Sequence, residues 1–337
     1  MDITQPRLDD TAAMRRWYDV WLATRQVDEP EAPNRSFEEL VGRSDESTYQ
    51  HEYLLGTAEG TDVGVASIRY TMRDNLGSAE LGIWIHPLCR RRGHGRQLAE
   101  AALAQVRARG RTQVVGGLVE ALDGSPSPGA GLAGSLGARR VRVDTHRVLD
   151  LTRLDLTRIE ALDKEAAELS AGYELVSWVG PAPDDLVADY AALIGRLSTD
   201  APQDDLDWET ESWDVDRVRR RDDVIAEVGR RLVVTAARPV GGGPLVAYTD
   251  VGVTTHDPDN VFQWDTLVLS EHRGHRLGTR VKVANLELVR REAPHAKRLH
   301  TWNADSNSHM LAINEAMGFV PLSRESEWQL DLDRAGD

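Results

Sequence analysis

Apolar and polar positions along the chain follow two periods, and the switch between them recurs at matching places in the two halves. In the first half, alternation predicts a short edge strand over 3–8 and a meander of strands over 51–58, 63–72 and 79–86. Helical spacing of Trp17, Trp21 and Leu22 predicts an amphipathic helix capped by Thr11, and a second helix follows over 36–41. After His86-Pro87 the pattern breaks into a basic turn with two glycines, and then Leu98, Ala102 and Val106 recur at helical spacing. A strand over 112–117 comes next. The stretch 123–137 is so rich in Gly and Pro that any helix in it is short or irregular, and a last strand or two spans 139–151.

Ile159, Leu162, Ala166 and Leu169 mark a connecting helix, after which the order restarts. A strand over 173–178, helices over 186–197 and about 215–228, and strands over 232–236, 245–253 and 261–269 lead to a second basic glycine turn. A helix through Leu277, Val281, Ala284 and Leu288, a strand over 298–302, a helix around Met310, Ile313 and Met317, and a strand over 327–332 complete the chain. Aligning Arg90 with Arg273 sets the two turns 183 residues apart. Leu136-Gly137-Ala138 matches Met317-Gly318-Phe319, and Leu149-Asp150-Leu151 matches Leu330-Asp331-Leu332, both at an offset of 181. So long a period with one element order means two copies of a domain, not a solenoid. The expected division is 1–151 and 172–337, joined by 152–171.

The turn Arg90-Arg91-Arg92-Gly93-His94-Gly95-Arg96 lies between a strand and a helix start. Backbone N–H groups and the positive end of the helix dipole converge there, and the arginines add charge for more than one phosphate. It fits neither the Walker loop nor the dinucleotide fingerprint. The spacing Arg90-x-x-Gly93-x-Gly95 resembles the coenzyme A pyrophosphate loop of the GNAT superfamily of acyl-CoA-dependent N-acyltransferases. The second copy carries Arg273-Gly274-His275-Arg276-Leu277-Gly278, with Arg276 where the first loop glycine belongs. Because the duplication extends it, the resemblance covers nearly the whole chain and implies an α/β fold: two tandem GNAT-like mixed-sheet domains forming a pseudo-dimer.

The resemblance implies acetyl-CoA as acyl donor, no metal, and direct transfer to an amine. The strand before the loop would pair with the pantetheine arm through Ile83, Trp84 and Ile85 in the first copy, and through Thr266, Leu267 and Val268 in the second. A base is needed to take the amine proton. Glu80 with Gly82, and Gln263 with Asp265, are expected on equivalent strand faces, so Glu80 and Asp265 are the candidate bases; an ordinary solvated or salt-bridged carboxylate is the competing description of each. The second copy keeps a fuller later segment, in which Asn303 and Asn307 would contact the pantetheine; Leu122, Pro126 and Ala133 stand opposite Asn303, Asn307 and Asn314. The family's usual general-acid tyrosine is replaced by Asn314 and Ala133, so the thiolate must find its proton elsewhere. Intact glycines favour the first copy as the better coenzyme site.

Net charge narrows the partners. The chain has 55 acidic against 40 basic residues, a formal −15, which argues against nucleic acid or an anionic membrane. No apolar run is long enough to span a membrane, and MDITQPRLDD does not read as a signal peptide. The single cysteine, Cys89, fits a reducing cytoplasm and has no activating partner in the sequence. Between Asp200 and Asp216 lie Asp204, Asp205, Asp207, Glu209, Glu211 and Asp214 with no Lys or Arg, and Trp208 and Trp213 among them. Such a loop is either simply solvated or walls a pocket for a small cationic amine. The expected protein is a cytoplasmic N-acetyltransferase, monomer or homodimer. The alternative is a coenzyme A-binding or scaffolding protein with decayed sites.

Overall fold

The computed structural model describes residues 1–42, 45–125, 127–200, 204–205 and 209–333; Pro126, Asp207 and Trp208 lie outside them. In chain order the elements begin β1 (Asp2–Thr4), α1 (Thr11–Asp28), α2 (Phe37–Val41), β2 (Tyr49–Ala58), β3 (Thr61–Thr71), β4 (Ser78–Ile85), α3 (His94–Ala108), β5 (Gln113–Glu120), α4 (Ala130–Ser135) and β6 (Arg139–Asp150). They continue α5 (Leu156–Leu169), β7 (Tyr173–Val179), α6 (Val187–Asp200), α7 (Val215–Glu227), β8 (Arg230–Pro239), β9 (Ala247–Thr254), β10 (Asn260–Val268), α8 (Leu277–Glu292), β11 (Arg298–Ala304), α9 (Ser308–Met317) and β12 (Val320–Asp331).

Two compact units result: 1–143 with 324–337, and 144–323. In unit one the strand order is β1-β2-β3-β4-β5-β12, antiparallel except between β4 and β5. In unit two it is β7-β8-β9-β10-β11-β6, antiparallel except between β10 and β11. The last strand of each sheet therefore comes from the other sequence copy: Arg324–Asp331 pairs with β5, and Asp144–Asp150 with β11. The fold is mixed α/β in each unit.

One helix cluster seals each sheet face. In unit one, Leu98, Ala102 and Val106 of α3 pack on Ile68, Tyr70 and Val114, while Met14, Trp17 and Trp21 of α1 cover Tyr53, Leu55 and Val65 on the other side. In unit two, Val283, Leu286 and Val289 of α8 pack with Ile159 of α5 on Val251 and Val261; α6 and α7 cover Leu232, Val234 and Tyr248. Burying an apolar side chain of this size contributes about 1.5–3 kcal/mol, which is what fixes these helices to their faces. The cap of α1 is Asp10, whose side chain accepts the Ala13 N–H at 3.0 Å; Thr11 is the first helical residue, so the cap lies one residue earlier than the hydroxyl suggested. At α2, Ser36 and Glu39 form a reciprocal capping box.

Both sheets split at one place. Parallel pairing between β4 and β5 covers only Ser78, Ala79 and Glu80, and between β10 and β11 only Asn260, Val261 and Phe262. Beyond those pairs the strands part.

Unit two also carries a buried imidazole chain near its split. The His146 and His300 rings meet at 3.0 Å, His300 Nε2 donates to Asn260 Oδ1 at 2.8 Å, and Trp302 stacks on His146 at 4.1 Å. Burial and Arg298 push His300 down to about 4 from an ordinary 6.5. The unfolded chain takes this proton below 6.5 and the folded one refuses it until about 4, so its contribution is complete above 6.5 and drains as pH falls through that window, up to about 3 kcal/mol. His300→Phe should lose less melting temperature than the wild type between pH 7.5 and 4.5; equal losses would remove His300 as the cause.

Candidate active site

The basic turns form at the split ends of β4 and β10. In unit one, Gly93 (φ +85°) caps α3 in the left-handed region, with nothing near the position of a Cβ, and Gly95 lies in the first turn against Leu132. The four arginines divide by role. Arg90 grips Asp28 through both terminal nitrogens (2.8 and 2.7 Å) and donates from Nε to the Ile85 carbonyl, so it braces the loop. Arg96 bonds Ser135. Arg91 and Arg92 are exposed and make no ion pair among the described residues, which leaves their charge for a ligand. His94 opens the helix with its Nδ1 buried and unpartnered.

In unit two, Arg273 repeats the brace, donating to the Val268 carbonyl, and also reaches the Asp200 carbonyl. Gly274 has φ +85°, and His275 stands exposed beside the Tyr173 ring. Arg276 holds the left-handed cap position without being glycine (φ +56°), and its guanidinium pairs with Glu165 at 2.8 Å. Gly278 is buried, with Ile313 3.0 Å from a hypothetical Cβ. Asn303 accepts from Asn314 at 2.6 Å, and Asn307 caps α9 by accepting the Met310 N–H. Both amides are thus engaged within the fold.

On β4, Ile83 and Ile85 pack toward α3, while Trp84 turns to the α1 side and stacks edge-on with Trp17. The Trp84 ring lies so close over Gly82 that a Cβ there would be 2.1 Å from it. Glu80 is held in an ion pair with Arg69 of the neighbouring strand. This closes the α1 side of the unit-one split.

Unit two differs by one inserted residue. Gln263 pairs with Val251 and Thr266 with Thr249, so three steps along β10 match two along β9: a bulge at Trp264-Asp265. The corresponding stretch of β4 is regular, Leu81 opposite Ile68 and Ile83 opposite Ala66. Register therefore matches Gln263 with Leu81, not Glu80, and sets Trp264 and Asp265 together against the single position Gly82. Glu80 and Asp265 lie on the corresponding faces, toward α1 and toward α6 and α7; Gln263, expected beside Asp265, is the residue that the extra position turns to the α8 face.

Freed from the ladder, the Asp265 N–H donates to Asp250 Oδ1 at 2.7 Å, and its carbonyl accepts from Thr249 Oγ1 at 3.0 Å. Asp250 is fully buried and also accepts from Tyr190 at 3.1 Å; Arg221 donates to that tyrosine oxygen. Tyr248 leans its hydroxyl toward Asp265 at 3.4 Å, and Leu267 of β10 packs in the same core. Burial first, then the charge of Asp250, lifts Asp265 to about 7, against the pull of Arg221; Glu211 pushes the same way. Burial likewise raises Asp250 and holds both tyrosines protonated. The sequence reading missed Asp250, Tyr190, Tyr248 and Arg221. Its one available signal was an aspartate inside the otherwise apolar strand around Val251.

Residues 14–121 match the acetyltransferase (GNAT) family. A tandem GNAT protein from the clavulanic acid biosynthesis pathway, solved without AcCoA, is 28% identical, superposes with a TM-score of 0.80, and covers 100% of this chain and 99% of its own. Over its full length the chain is similar to a tandem GNAT protein, and its first half carries the GNAT family match. A GCN5-related N-acetyltransferase from Sphaerobacter thermophilus shares its fold at 15% identity and TM-score 0.66, over 98% of this chain and 95% of that one. A putative acetyltransferase from Pyrococcus horikoshii does so at 14% and 0.54, over 98% and 89%. No curated protein matches. No helix among the described residues is long and apolar enough to cross a membrane.

Given this division of the arginines, Arg90→Ala should lower the melting temperature, costing about 1–2 kcal/mol, because the loop loses its brace. Arg91→Ala and Arg92→Ala should melt like the wild type but each weaken acetyl-CoA binding by about fivefold, with a shallower salt dependence. Calorimetry at two salt concentrations separates the outcomes; equal affinities across the set would contradict it.

Proposed function

We propose that this protein is an acetyl-CoA-dependent N-acetyltransferase in which unit two carries out the transfer and Asp265 is the base. The observation that carries this is the bulge: it sets Asp265 beside the split of the sheet, in a buried carboxylate cluster, with a proton affinity near neutrality. A base with a pKa near the working pH is best suited to take a proton from an incoming ammonium. The amine lone pair then attacks the thioester carbonyl, the nitrogen gives up its second proton to solvent as the C–S bond breaks, and the departing thiolate takes a proton from solvent, since Asn314 is buried and bonded to Asn303.

Unit two would take its coenzyme through the backbone N–H groups at the start of α8, with Arg273 bracing the loop. For unit one a different role is favoured. Arg91 and Arg92 are available for phosphates, whereas Glu80 is paired with Arg69 and Trp84 fills the space over Gly82. That combination suits coenzyme binding without transfer. Asp265, Asp250 and Glu211 outnumber the two arginines beside them, Arg221 and Arg217, which favours a small cationic acceptor in unit two.

The wild-type pH–rate profile tests the reading. Log kcat/KM for an amine should rise with pH and bend near 7, because protonated Asp265 cannot accept a proton. The KM for the amine should increase with ionic strength while that for a neutral amine does not. A profile with no bend between pH 6 and 8, or a preference for anionic acceptors, would contradict the assignment.

A further inference from the structure

We infer that the buried pair Lys282–Gln263 positions Asp265 by clamping the bulge of β10 from the α8 side. The inference rests on the reading of Asp265 as the base. Lys282 is 1% exposed, and its one hydrogen bond among the described residues runs from Nζ to Gln263 Oε1 at 3.2 Å. That bond orients the amide. Gln263 Nε2 is thereby aimed at the bulge, where it donates to the Asp250 carbonyl at 2.6 Å and Thr249 Oγ1 at 2.8 Å, with the Asp265 carbonyl at 3.3 Å.

A bulge removes backbone groups from their ladder, and buried groups left so must find partners. Here side chains supply them: Asp250 takes the Asp265 N–H, Thr249 and Gln263 give to its carbonyl, and Lys282 holds Gln263 in register. The molecule contains its own comparison. At the matching places of unit one stand Ala99 and Leu81, both apolar, and there β4 runs without a bulge. Polar pair and bulge are present together in one unit and absent together in the other.

Stability alone does not account for Lys282. Among the described residues no carboxylate pairs with it, Phe319 lies 5.6 Å from its ammonium, and burial pushes it down to about 7 from 10.5. An apolar residue of that volume would be cheaper to bury. Lys282 also sits on the helix that begins at the coenzyme loop, so it ties the element that would hold phosphate to the element that carries the base.

Lys282→Met keeps the volume and removes the donor; Gln263→Leu removes the amide. Asp265 is faced by Asp250 and Tyr248 from β9, Arg221 from α7, Glu211 from the segment before α7, and, through Asp250, Tyr190 from α6. Each of these stays in both variants. The experiment is a carboxyl titration by 13C NMR on full-length protein labelled at aspartate, with the Asp265 signal assigned by its loss in Asp265→Asn. In the wild type Asp265 should titrate near 7. In both variants a loosened bulge admits water, so the midpoint should move down toward the ordinary carboxylate range. In parallel, kcat should fall about tenfold or more while KM for acetyl-CoA stays within about twofold. A midpoint near 7 in both variants would overturn the inference, and so would failure of both to fold, which would make the pair a core element only. If the midpoint moves but no form of the protein acetylates an amine, the clamp stands and the assignment of Asp265 as base falls.

Discussion

The hydrogen bond from the Asp265 N–H to the buried Asp250 carboxylate is the contact on which the proposed site of unit two depends. It exists because β10 has one residue more than β9 can pair. The extra residue turns a backbone donor out of the ladder, a carboxylate receives it, and the bulged residue's own side chain is left beside that carboxylate in a place water hardly reaches. Two acids so close in a low-dielectric site cannot both ionise easily; Asp250, which accepts from the Asp265 N–H and Tyr190 with Arg221 nearby, is the better-stabilised anion, and Asp265 keeps its proton nearer neutrality. Local geometry, burial and proton affinity are here one fact seen at three levels.

The two units have the same plan and have diverged in what they add to it. Both split after three parallel pairs, and both brace the loop with an arginine on the last strand carbonyl. In unit one the carboxylate at the split is neutralised by Arg69, and an indole occupies the space that a substrate amine would need. Its loop has a glycine in the left-handed cap and two guanidiniums with no ion pair among the described residues, features that suit phosphate. In unit two Arg276 occupies that strained cap and is turned toward Glu165. On the proposed reading, features for phosphate and for proton transfer are divided between the two copies.

Much of this was legible in the chain itself. The glycine turns, the strand before and the helix after are coded within a few residues, and the tandem arrangement follows from their recurrence. What escaped depended on contacts distant in sequence. A bulge shifts the alternation by one step, but the short polar stretch Gln263-Trp264-Asp265-Thr266 has too few apolar positions to show the shift, and a uniform offset between copies matches Gln263 with Glu80 instead of Leu81. The origin of the sixth strand in each sheet escaped for a similar reason: Leu330 and Leu149 are apolar in either setting, and only their partners, on β5 and β11, distinguish them. Asp250 and Lys282 are charged residues on buried faces. Their meaning appears only when the groups opposite them are known.

The most direct measurement of the central claim compares turnover and coenzyme binding in Asp265→Asn and Glu80→Gln. If Asp265 is the base, Asp265→Asn should lower kcat by about a hundredfold or more at neutral pH and abolish the bend near 7, with acetyl-CoA affinity by calorimetry unchanged. Glu80→Gln should change kcat by less than about twofold, since that carboxylate is already committed to Arg69. Wild-type turnover in Asp265→Asn together with loss of turnover in Glu80→Gln would contradict the claim and move the reaction to unit one.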